Sequence, residues 1–115
     1  MKKVLFSILV MSLSLAVSAQ QQSWTNDPAH SRLGFVVKHL GISKISGSFS
    51  NFSVKVITTK ADYSDMKVSV TAKTASINTG VEMRDNHLRS ADFFEVEKYP
   101  ELTFVSTSSK KISDK

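Results

Sequence analysis

Apolar and polar residues alternate with a period of two along most of this chain. From Arg32 to Lys38, the residues Leu33, Phe35 and Val37 fall on one face of an extended backbone and Arg32, Gly34, Val36 and Lys38 on the other. His39-Leu40-Gly41 breaks the pattern, and a weaker alternation follows from Ile42 to Phe49, with Gly47 marking an expected bulge or bend. Phe52, Val54 and Val56 form the next apolar face, and Lys60 to Asp65 reads as a polar loop. The cleanest alternation is Met66 to Lys73, with Met66, Val68, Val70 and Ala72 facing inward. One face of such a strand is wet, which favours antiparallel pairing. Leu102 to Thr107 gives a last strand, for about five or six in all.

One stretch departs from this pattern. Between Ser76 and Phe94 the spacing predicts a short helix, with Thr79 and Glu82 as a capping box and Asp85 and Arg89 as an i,i+4 ion pair. Pro100 ends whatever helix remains. Earlier in the chain, Trp24 opens the domain and Asp27-Pro28-Ala29-His30-Ser31 reads as a turn. The fold class expected from pattern alone is all-β with one short helix. Five or six strands are fewer than the roughly eight of a small closed barrel.

Composition narrows the setting. Lys2 and Lys3, an apolar run from Val4 to Val17 and the small residues up to Ala19 have the form of a secretory signal peptide cut after Ala19. That run is shorter than the roughly 20 residues of a membrane span, so no span is expected. Residues 20–115 then form one small domain. No cysteine is present, which excludes disulfides, thiolate metal sites and a cysteine nucleophile. Removal of the two lysines lowers the formal charge from +5 to +3, with basic residues scattered and no aromatic-interleaved patch, so no nucleic-acid partner is expected.

Candidate chemistry is sparse. His30, His39 and His87 are not paired at metal-ligand spacing, so a zinc site would need three distant segments. Ser31 beside His30 forms no hydrolase elbow, and Asn78-Thr79-Gly80 has Asn where an aspartic protease needs its acid. No metal, cofactor or catalytic residue is therefore assigned. Arg84, His87 and Arg89 would suit a phosphate, or form a solvated helix face. Phe93, Phe94, Tyr99 and Phe104 would form core or the wall of an apolar cavity.

Taken jointly, Trp24 with Asp27-Pro28-Ala29-His30-Ser31, Phe35-Val36-Val37-Lys38-His39-Leu40, Gly47-Ser48-Phe49, Ser76-Ile77-Asn78-Thr79-Gly80, Arg84-Asp85-Asn86-His87-Leu88-Arg89-Ser90, Asp92-Phe93-Phe94 and Lys98-Tyr99-Pro100 resemble the YceI-like family of polyisoprenoid-binding proteins. The resemblance implies a lipocalin-like antiparallel barrel exported to the periplasm, holding a polyprenol, polyprenyl phosphate or isoprenoid quinone in its lumen, without enzymatic activity. Family members continue beyond the strand at Leu102 to Thr107, so the barrel is expected to be incomplete in this chain, truncated at its C-terminus, with a homodimer as one way to cover its edges. The expected lumen residues are Leu33, Phe35, Val37, Phe52, Val54, Val68, Val70, Phe93, Phe94 and Phe104, with Arg84, His87 and Arg89 as candidate headgroup contacts. The rival expectations are a His-dependent metal-binding protein or enzyme, and a non-catalytic interaction module.

Overall fold

The computed structural model describes residues 20–113; the expected signal peptide lies outside them. Among the described residues seven strands are present: β1 (Gln22–Thr25), β2 (Leu33–His39), β3 (Ser43–Phe49), β4 (Phe52–Thr58), β5 (Lys67–Lys73), β6 (Ile77–Asn78) and β7 (Glu101–Val105). A 3-10 turn at Thr74–Ser76 precedes β6, and the helix α1 (Glu82–Arg89) follows it. All pairings are antiparallel, in a four-stranded sheet of order β1-β4-β5-β7 and a three-stranded sheet of order β2-β3-β6. Among the described residues the two sheets do not close into a barrel. Two strands escaped the sequence pattern. β1 has Trp24 as its one large apolar residue, and β6 is two residues long.

Register turns the alternation into two apolar faces, because directly opposed residues share a side of the sheet. In the smaller sheet Leu33 lies opposite Phe49, which lies opposite Ile77. Phe35 lies opposite Gly47, and Val37 opposite Ile45. In the larger sheet the rows are Phe52-Ala72-Leu102, Val54-Val70-Phe104 and Trp24-Val56-Val68. The chain passes between sheets at one corner, through Ser50-Asn51 after β3 and through the 3-10 turn after β5. Hydrogen bonds knit the two crossings together: Ser50 N–H to the Ser76 carbonyl (3.1 Å), Asn51 N–H to Ser76 Oγ (3.1 Å) and Lys73 N–H to the Asn51 carbonyl (2.9 Å).

The core sits at this corner. Phe49, Ala72 and Ile77 are buried there, with Leu33, Phe35, Phe52, Leu88 and Phe94 packed around them. Away from the corner the apolar faces open: Phe104 is 54 % exposed and Val37 48 % exposed. The hydrophobic effect therefore holds the structure most firmly where the strands cross between sheets.

Three local expectations are corrected. Gly47 marks no bulge, since β3 runs in regular register through it. Its missing side chain makes room for the Phe35 ring, whose Cζ would stand 2.4 Å from a Cβ at that position. Thr79 and Glu82 form no capping box: Val81 is the N-cap residue, without a side-chain cap, and the Thr79 hydroxyl donates to Asp85 Oδ1 (2.6 Å). Asp85 and Arg89 form no ion pair, because Asp85 is engaged by Thr79 and Arg89 points to backbone carbonyls. At the β2–β3 turn, Leu40 and Gly41 both take positive φ (50° and 74°), and the Ile42 N–H closes onto the His39 carbonyl (3.1 Å).

Candidate functional site

Helix α1 is amphipathic only weakly and is held in place mainly by specific bonds. Leu88 reaches the core, and Phe94, just beyond the helix, meets Phe49 edge-to-face (centroids 5.8 Å apart, planes at 87°). Arg89 extends back to the preceding segment, its Nε donating to the Ala75 carbonyl (2.9 Å) and one terminal nitrogen to the Ile77 carbonyl (2.8 Å). Its other terminal nitrogen donates to Asn86 Oδ1 (3.0 Å). Arg89 thus fastens the helix to β6 and the turn before it.

Between this helix and the open face of the smaller sheet lies a concavity of about 840 Å³. The sheet supplies Phe35, Val37, Ile45, Phe49 and Ile77; the helix and its exit supply Leu88, Phe93 and Phe94; and β7 supplies Leu102. Four polar residues share the wall: His39, Thr79, Arg84 and His87. A volume of this order, mostly apolar with a few convergent polar groups, is the usual form of a small-molecule site.

The polar groups are individually positioned. Arg84 Nε donates to Thr79 Oγ1 (2.7 Å) and Nη2 to the Thr79 carbonyl (2.9 Å). Thr79 in turn donates both its N–H (2.9 Å) and its hydroxyl (2.6 Å) to Asp85 Oδ1, and Asp85 is buried. His87 Nε2 lies 3.0 Å from Asp92 Oδ2, and its ring stands edge-to-face with Phe93 at 5.0 Å. His39 ends β2 on the opposite wall.

The expected lumen residues are divided among three places. Phe35, Val37, Phe93 and Phe94 line the large concavity together with Arg84 and His87. Leu33, Phe52 and Val54 line a smaller hollow of about 290 Å³ with Trp24 and Val56. Val68, Val70 and Phe104 lie on the same face of the larger sheet, outside both hollows. Arg89 does not line the concavity and is occupied with backbone carbonyls. Alternation had already placed Ile45, Phe49 and Leu102 in strands, but only the register brings them to the site. Thr79 carried a different expected role, and nothing in the spacing marked it as the partner of Arg84.

The three histidines are dispersed. His30 bonds Asp27 Oδ2 (2.7 Å) in the turn before β2, whereas His39 and His87 both line the concavity. Among the described residues no group of three or more His, Asp or Glu side chains gathers in a way that could hold a metal ion. Among them, too, no helix is long and apolar enough to cross a membrane. A strongly perturbed carboxylate lies elsewhere: Asp65 is held far below the ordinary carboxylate range by the hydroxyls of Thr58 and Thr59, helped by the N–H groups of Thr59 and Lys60.

Comparison with known proteins agrees with this architecture. A UPF0312 protein of Staphylococcus aureus (strain MRSA252) is 45 % identical over 95 residues, covering 80 % of this chain and 56 % of the relative. Among solved structures, Burkholderia cenocepacia BcnA superposes with a TM-score of 0.64 at 28 % identity, over 71 % of this chain and 51 % of that one. A Campylobacter jejuni YCEI protein superposes with a TM-score of 0.56 at 40 % identity, over 79 % and 53 %. The chain therefore spans about half the length of these relatives. The family profile described as the YceI-like domain matches residues 24–114, nearly all of the described segment, and with these relatives at hand the chain belongs to the YceI-like family.

Proposed function

We propose that this chain binds a long-chain isoprenoid lipid, a polyprenol, polyprenyl phosphate or isoprenoid quinone, as a periplasmic carrier without catalytic activity. The observation that carries this reading is the apolar concavity under α1, with its polar groups gathered among Thr79, Arg84, His87 and His39. Family membership supports it, since the YceI-like resemblance implies a polyisoprenoid ligand. Burial of ten methylene equivalents at about 0.8 kcal/mol each contributes roughly 8 kcal/mol before ordering costs. That corresponds to about micromolar affinity with no polar contact at all. Export is supported by the form of residues 1–19.

Organic extraction of the purified protein followed by mass spectrometry tests the reading. A stoichiometric isoprenoid is expected; protein free of lipid that also fails to take up added polyprenol would refute it. The outer edges of β2 and β7, unpaired among the described residues, favour pairing with a second copy as an accompanying interaction. Light scattering that returns a well-folded monomer at all concentrations would remove that part.

A further inference from the structure

We infer that the concavity selects an isoprenoid whose headgroup is an anion, read by the end-on edge of the Arg84 guanidinium. The inference rests on the lipid-binding reading above and narrows its ligand class. A guanidinium carries five N–H donors in a planar fork. In this protein its side-on edge is occupied, with Nε on Thr79 Oγ1 (2.7 Å) and Nη2 on the Thr79 carbonyl (2.9 Å). Both Nη1 hydrogens and the second Nη2 hydrogen have no acceptor among the described residues. The second Nη2 hydrogen and the Nη1 hydrogen facing it form the edge that pairs bidentately with a carboxylate or phosphate.

Charge and placement point the same way. Arg84 lines the concavity and makes no ion pair among the described residues. The nearest carboxylate in its hydrogen-bond chain, Asp85, is one hydroxyl removed, 6 % exposed and absent from the cavity wall. Thr79 therefore holds the guanidinium in a fixed orientation while leaving its outer face to a ligand. The other ionisable groups on the wall are the histidines His39 and His87; no acid lines it. An uncharged headgroup such as an alcohol would leave that fork only partly used, whereas a phosphate or carboxylate would engage it with charge-assisted bonds.

Calorimetric titration of the full chain with farnesol, farnesyl phosphate and inorganic phosphate tests this. Farnesyl phosphate is expected to bind about tenfold or more tighter than farnesol. In Arg84→Gln that margin is expected to vanish. In the unmutated protein the margin is expected to shrink when salt is raised from about 0.05 M to about 0.5 M. This arm stands even if the variant fails to fold. Equal affinity for the two farnesyl compounds, a margin that survives in a folded Arg84→Gln, or one indifferent to salt overturns the headgroup inference alone. Inorganic phosphate binding as tightly as farnesyl phosphate overturns the assignment to a lipid headgroup. Failure of both farnesyl compounds to bind overturns the lipid-binding reading with it.

Discussion

Replacing Arg89 by Met keeps the apolar stem of the side chain and removes every donor that fastens α1 to the strand before it. Two of the lost bonds are charge-assisted and reach backbone carbonyls, at 2.9 Å to Ala75 and 2.8 Å to Ile77. Each such bond is worth about 1.5–3 kcal/mol when well buried, and Arg89 is only half-buried, so the lower end applies. The bond to Asn86 is exposed and contributes little. A cation in the last turn of the helix adds roughly 0.3–1 kcal/mol through the helix dipole. The expected loss is therefore about 3–4 kcal/mol, a large share of the 5–15 kcal/mol typical of a domain. Urea unfolding followed by circular dichroism measures it directly, and a thermal midpoint lowered by about 10 °C or more should accompany it. A variant within about 0.5 kcal/mol of the unmutated protein, the ordinary range for surface changes, would refute the fastening role and return Arg89 to the solvated face.

Two further perturbations bear on separate parts of the account. Gly47→Ala places a methyl 2.4 Å from Phe35 Cζ and 2.9 Å from Cε1, so the ring must leave its place against Phe49. A loss of about 1–3 kcal/mol and weaker uptake of an isoprenoid are expected, and an unchanged urea midpoint would show that the ring moves freely. Asp65 has a lowered pKa, so its contribution to stability is present above its unfolded value near about 3.9 and is lost as pH falls through its folded value. Thermal midpoints of the unmutated protein should therefore fall below about pH 4, with a flatter acid limb in Asp65→Asn; superimposable acid limbs would contradict the assignment.

What the sequence made legible was the part governed by short-range periodicity. The faces of β2, β4 and β5 follow from alternation, because a period of two leaves Leu33, Phe35 and Val37, or Val68, Val70 and Ala72, on one side whatever the strand pairs with. β1 and β6 were invisible for the same reason, since four residues with one large apolar side chain, or two residues alone, contain no period. Contacts made across the fold were equally hidden. Gly47 is explained by Phe35 on the neighbouring strand, and Arg89 by carbonyls 12 and 14 residues away. Thr79 and Glu82 have capping-box spacing, yet the buried Asp85 claims the Thr79 hydroxyl and N–H. An uncompensated buried carboxylate would cost more than the cap gains.

The division of the apolar face was the other element beyond the reach of pattern. Alternation puts Phe35 and Phe104 in the same inward class, but Phe35 sits under α1 against Phe49, while Phe104 lies in the open row with Val54 and Val70. Placement facing α1 and its exit, rather than inwardness along each strand, decides which residues form the concavity. Arg84 and Arg89 likewise looked equivalent on one helix. Their partners separate them, with Arg89 holding the helix down and Arg84 presenting an open fork to the cavity.

The central claim, that the hollow beneath α1 holds an isoprenoid chain, is tested most directly by isotope-filtered nuclear Overhauser measurements between unlabelled farnesol and carbon-13-labelled protein. The account predicts contacts from the farnesyl methyl groups to Phe35, Phe93 and Phe94. Contacts confined to Leu33, Phe52 and Val54, or to the open row of Val70 and Phe104, would contradict it.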